Sequence, residues 1–169
     1  MHTRLLVPMA LLVLVPNWVL SAPAACVAPG LPTARPQQAL FQALNAYRAG
    51  LGLPGLRYSK ALELAALEHA RDMERRNYFD HADPEGRRVP DRVETTGFCH
   101  RKVGENLVWG RNSVRTADAA MKRWKESPGH DANLRHPKYR YVGLALHRKR
   151  KADGVHYFWV QVFGFDVGP

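Results

Sequence analysis

The end of the chain constrains the fold most. Val155 to Phe165 is dense in β-branched and aromatic residues, and Tyr141 to Arg148 alternates, with Val142, Leu144 and Leu146 on one face. Asp153-Gly154 between the two runs is a turn signal, set in a loop longer than two residues. Together they predict an antiparallel hairpin whose apolar face other elements must cover.

Those elements precede it. Leu40, Ala43, Leu44 and Tyr47 recur at helical spacing from about Pro36 until Gly50 and Gly52. Ser59 is an N-cap for a longer helix with the stripe Leu62, Ala66, His69 and Met73, ending near Asn77. His81 to Gly97 reads as a long polar connection, and Gly104-Glu105-Asn106 as a turn. A third helix runs from about Thr116 through Ala117, Ala120, Met121 and Trp124, with Pro128-Gly129 as its stop. Helices first and a hairpin last give an α+β class, helices packed on a small antiparallel sheet.

The N-terminus reads as an export signal. Arg4 precedes a mostly apolar stretch, Leu5 to Leu20, and Ala22-Pro23-Ala24 offers a small-x-small cleavage site. Residues 1–24 are thus expected to be a signal peptide and residues 25–36 a Pro- and Ala-rich linker. The stretch is short and contains Pro8 and Pro16, which argues against a membrane span. The formal charge is +10; the leader removes Arg4 and no acid, leaving +9. This balance favours anionic lipid or cell-wall polymer as partner, whereas export and the lack of any nucleic-acid motif exclude nucleic acid. Arg148-Lys149-Arg150-Lys151 reads as a solvated hairpin tip.

Cys26 and Cys99 are the only cysteines, and an oxidising compartment predicts one disulfide between them. The competing reading lipidates Cys26, but Pro23 stands where a lipobox has a Leu-like residue. The chain is expected in the medium or a periplasm, as a monomer.

His81, Glu105 and His130 are the residues with chemistry to offer. Two imidazoles and a carboxylate brought together would suit Zn²⁺ with an open water position, and an acidified water could act as nucleophile. The plainer reading is that they pin loops through hydrogen bonds. His69, on an apolar stripe, reads as a packed, hydrogen-bonded core histidine; His100, His136 and His147 read as surface. No His-Glu-x-x-His, Gly-x-Ser-x-Gly or phosphate-binding glycine loop occurs.

Segments in order, Leu44-Asn45-Ala46-Tyr47-Arg48, Ala65-Ala66 through His69 to Phe79-Asp80-His81, Val103-Gly104-Glu105-Asn106-Leu107, Trp124 through Ser127-Pro128-Gly129-His130 to Asn133-Leu134, and Trp159-Val160-Gln161-Val162-Phe163-Gly164, resemble the bacterial branch of the CAP superfamily. This superfamily includes the cysteine-rich secretory proteins, venom antigens and plant pathogenesis-related proteins. The likeness runs from about Gln38 to Gly164 and implies a CAP (SCP) domain over residues 37–167. It further implies an α–β–α sandwich with a shallow cleft, in which members often place two His and two Glu, some binding zinc. His81 matches the first histidine and Glu105 the first glutamate. The second glutamate position is Ser127, with Glu126 beside it; the last histidine position is Phe158, with His156 two residues earlier on the same strand face. His130, from Ser-Pro-x-His, is the substitute. The expected cleft is therefore His81, Glu105, Glu126, His130 and His156, with His81 and His130 as metal ligands.

The resemblance carries no single activity. The first expectation is a non-enzymatic extracellular binding module for a divalent metal or a small apolar or anionic ligand. The alternatives are a purely structural His/Glu cluster and a metal-dependent hydrolase of peptide or wall substrates with Glu105 as general base.

Overall fold

The computed structural model describes residues 29–99 and 102–165. Strand β1 (Pro29–Gly30) leads to helix α1 (Arg35–Gly50), β2 (Arg57–Ser59) and α2 (Lys60–Arg76). Then come α3 (Val89–Glu94), β3 (Lys102–Arg111), α4 (Ala117–Lys125), α5 (Pro128–Leu134), β4 (Tyr141–Lys151) and β5 (Gly154–Phe165). The strands form one sheet in the order β1-β2-β4-β5-β3.

The hairpin is present, and β5 is an interior strand because β3 pairs along its other edge, Glu105 opposite Val162 and Trp109 opposite Phe158. Lys151 pairs with Gly154, so the connecting turn is the two residues Ala152-Asp153, tighter than expected; Gly154, at φ 132°, takes the backbone conformation that closes it. The sheet is also mixed rather than wholly antiparallel. The short β2 runs parallel to β4, and Pro29–Gly30, within the expected linker, pairs antiparallel with β2.

Period-two alternation sends β4 and β5 side chains to both faces, and both are covered. Val142, Leu144, Trp159 and Phe163 pack against Leu40 and Leu44 of α1 and Ala120, Met121 and Trp124 of α4. Tyr141, Ala145, Phe158, Val160 and Val162 pack against Leu62, Ala66, Ala70 and Met73 of α2 and Val93 of α3. The result is the expected α–β–α sandwich. Gly143 sets the closeness of one layer: a Cβ there would meet the backbone of Leu62 and Glu63, so only glycine lets the start of α2 lie on β4.

Motifs that read as signatures prove to be fasteners. Asn45 exchanges two hydrogen bonds with the backbone of Leu56, at 2.8 and 3.1 Å. The Tyr47 hydroxyl donates to Asp131 at 2.7 Å. Arg48, fully buried, donates to the carbonyls of Pro54, Leu134 and His136, tying α1 to the end of α5. Cys26, the leader and His100 lie outside the described residues, so the disulfide and lipid-anchor expectations do too. Among the described residues no helix is long and apolar enough to cross a membrane.

Candidate functional site

Glu105 is the centre, and it lies on a strand. Gly104-Glu105-Asn106 is part of β3, correcting the expected turn. The glycine belongs there for space: a Cβ on Gly104 would collide with the Tyr139 hydroxyl and crowd Asn133. Alternation along β3 then turns Glu105 toward α2 and α3, and Asn106 toward α5. Asn106 donates to the carbonyl of His130 and to Gln161, each at 3.1 Å, and accepts from Asn133 at 2.9 Å. Asn133 also donates to the Glu105 carbonyl at 3.2 Å. Helix α4 ends at Lys125, just before Pro128 as expected, and Pro128 also starts a further helix: it is the first residue of α5, where its missing N–H costs nothing. That helix carries His130 beside β3.

The other wall comes from the end of α2. Asn77 closes the helix in the left-handed conformation, φ 56°, and turns the chain back. His69, buried in α2, donates from Nε2 to the Asp80 carbonyl at 3.0 Å and so holds the loop that carries His81. Burial pushes the His69 imidazole below its ordinary pKa, with Glu105 opposing and Arg92 adding to the drop. It is the packed, hydrogen-bonded histidine expected, and its Nε2 also lies 3.9 Å from Glu105 Oε1.

The Glu105 side chain is 1% exposed, and both oxygens have partners. His81 donates from Nδ1 to Oε1 at 2.8 Å; Arg92 donates to Oε2 at 2.9 Å. Arg92 also donates to the His81 and Arg87 carbonyls, at 3.1 and 3.0 Å, clamping the loop and the carboxylate together. Arg92 sits on α3, a six-residue helix inside the stretch expected to be unstructured, and nothing in the sequence marked it. With Nδ1 engaged by Glu105, Nε2 is the His81 ring nitrogen left outside that bond, on a side chain 46% exposed. His130 is close enough that His81 contributes to lowering its pKa, after the larger effect of burial.

The remaining expected cleft residues lie elsewhere. Glu126 caps α4, exposed, 3.8 Å from Lys122, and no hydrogen bond or ion pair among the described residues links it to His81, Glu105 or His130. His156 does share the Glu105 face of the sheet. It sits opposite Arg111, however, six residues beyond Glu105, or about 20 Å along the strand. There it contacts Asp153 at 2.8 Å and lies against Trp109.

A zinc centre needs three or four protein ligands. Among the described residues no group of three or more His, Cys, Asp or Glu is arranged to hold a metal ion. Glu105 faces a guanidinium, a cation that opposes a second positive charge at the same oxygens. The residues present do not fit the expected zinc site beyond the pair His81 and His130.

The sequence profile of the cysteine-rich secretory protein family (CAP) matches residues 41–163. The chain belongs to the CAP family. Within it, the chain is 29% identical over 108 residues to YkwD, an uncharacterized protein of Bacillus subtilis, a match covering 64% of this chain and 41% of that protein. This CAP chain thus matches less than half the length of that relative. Among solved structures it is similar to an outer surface protein of Borrelia burgdorferi, with a TM-score of 0.68 at 20% identity over 82% of this chain and 99% of that one. It is also similar to an extracellular protein of Bacillus anthracis containing an SCP domain, with a TM-score of 0.66 at 24% identity over 81% of this chain and 45% of that one. At these identities the likeness establishes the CAP fold alone.

Proposed function

We propose that this CAP-domain chain is a non-enzymatic extracellular binding module for an anionic component of the cell envelope or wall. The observation that carries the reading is the state of Glu105. Its carboxylate is buried, and its two oxygens accept from His81 and from Arg92. A general base must come within hydrogen-bond reach of the proton it takes; Glu105, its side chain 1% exposed, lies behind His81 and Arg92 and serves as a fixed anchor for the exposed His81. The net charge of +10 supports an anionic ligand. The leader-like N-terminus supports an extracellular place, as do the descriptions of the Bacillus anthracis and Borrelia proteins as extracellular and outer-surface proteins.

Co-sedimentation of the purified chain with isolated bacterial wall tests this reading. The chain is expected in the pellet at low salt and increasingly in the supernatant as ionic strength rises, because screening weakens contacts between exposed charges. A chain that stays soluble with walls and with anionic vesicles at low salt refutes it.

A further inference from the structure

The first strand of the hairpin ends in four consecutive cations, Arg148 to Lys151, and the pleat divides them between the two faces of the sheet. Lys149 and Lys151 share the Glu105 face with His147 and His156. The acids near this end are engaged there: Asp153 with Arg111 and His156, Glu74 with His147 and Lys151. Arg148 and Arg150 lie on the other face, opposite Tyr157 and Val155. Both are exposed, and neither guanidinium forms an ion pair or hydrogen bond among the described residues.

On that face Leu146 and Tyr157 pack, partly buried, against the cluster that α1 and α4 cover. Beyond them Arg148, Arg150, Val155 and Tyr157 line a depression of about 340 Å³, a size that admits a small ligand. Residues two apart on one strand face stand about 7 Å apart, so the long side chains of both arginines can close on one group from two sides. The Tyr157 hydroxyl is a third donor, and it too has no hydrogen-bond partner among the described residues.

We propose that this depression binds a phosphate group, an inference that rests on the binding-module reading above and deepens it: the anionic envelope component carries phosphate. Charge and donor count select the occupant. Two unpaired guanidiniums match a phosphomonoester, which carries about −1.5 to −2 charges near pH 7, whereas a carboxylate carries one. Its three terminal oxygens can take both guanidinium forks and the phenol; a carboxylate has only two oxygens. No acid lines the depression to oppose an anion.

An NMR titration of the isotope-labelled chain with glycerol 3-phosphate tests it, at physiological ionic strength so that distant charges are screened. Saturable shifts are expected at Arg148, Arg150 and Tyr157, with acetate binding at least about tenfold more weakly. Arg148→Gln and Arg150→Gln should each weaken binding about tenfold, the worth of one hydrogen bond to a charged group. Lys149→Gln, on the opposite face, should leave it unchanged. Thermal melts confirm that each variant is folded. Vesicles of phosphatidic acid in phosphatidylcholine then identify the carrier: co-sedimentation that Arg148→Gln abolishes puts the phosphate on a lipid, and a chain left in the supernatant puts it on a soluble or polymeric molecule. The proposal falls if glycerol 3-phosphate gives no saturable shift at these residues, if acetate binds as tightly, or if Lys149→Gln costs as much as Arg148→Gln. Wall co-sedimentation that persists when the titration fails leaves the binding-module reading standing without this site; a chain that binds neither wall nor phosphate loses both.

Discussion

Nδ1 of His81 stands 2.8 Å from Oε1 of Glu105, a bond from an imidazole 46% exposed to a carboxylate 1% exposed. The buried partner is fixed and the exposed one is aimed by it. Arg92 completes the arrangement by neutralising the carboxylate from the far side and holding the His81 carbonyl.

Breaking this buried pair from one side leaves a charge without a partner. Arg92→Leu or Glu105→Leu is expected to lower stability in urea unfolding by about 3–5 kcal/mol. The double variant, which removes both charges, should be less destabilised than either single change. Additive losses would mean that the two groups are not coupled.

His81→Ala removes a bond whose donor is half exposed. Its stability cost should be only about 1 kcal/mol, the usual net worth of one hydrogen bond. A loss as large as that of Glu105→Leu would make His81 a core fastener rather than the outward-facing member.

Two glycines distinguish space from flexibility. Gly143→Ala drives a methyl into the backbone of α2 and should cost at least about 1–3 kcal/mol, the range for overpacking. Gly129→Ala, in α5 with nothing within 4 Å of its added Cβ, should be neutral or stabilising by up to about 1 kcal/mol. Thermal melts of the pair check both.

Acid should loosen the fold before the carboxylates titrate. Burial lowers the pKa of His69 and His130, so between about pH 6.5 and their lowered values the unfolded chain binds more protons than the folded one. Stability therefore falls as pH drops below about 6.5. Asp72, Arg92, Tyr78 and Glu105 surround His69 and remain in place in His69→Gln, which should flatten the decline in Tm between about pH 7 and 5. An unchanged slope would remove His69 as its source.

Much of this was legible in the sequence because period and caps are local. The β4–β5 hairpin followed from alternation, and α2 from Ser59 and its apolar stripe. What was not legible depends on contacts distant in sequence. Gly104-Glu105-Asn106 looked like a turn because its glycine is small; it is small because Tyr139 needs the room. Pro128 read as the stop after α4, which it follows, but not as the start of α5, because proline both ends and begins helices. Arg92 carried no signal, since α3 is too short for periodicity to show. His156 was read as sharing a strand face with Phe158 and so as a cleft residue, but only the β3–β5 register reveals how far along the strand from Glu105 it lies.

The central claim is that Glu105 anchors a binder and does no chemistry, and one measurement addresses it most directly. Isolated bacterial wall is incubated with the chain and with Glu105→Gln, and the supernatant is assayed for released sugar ends and peptides. The account predicts wild-type chain held in the pellet and no release above buffer by either protein. Fragments released by wild type and lost in Glu105→Gln would contradict it and make Glu105 a working base.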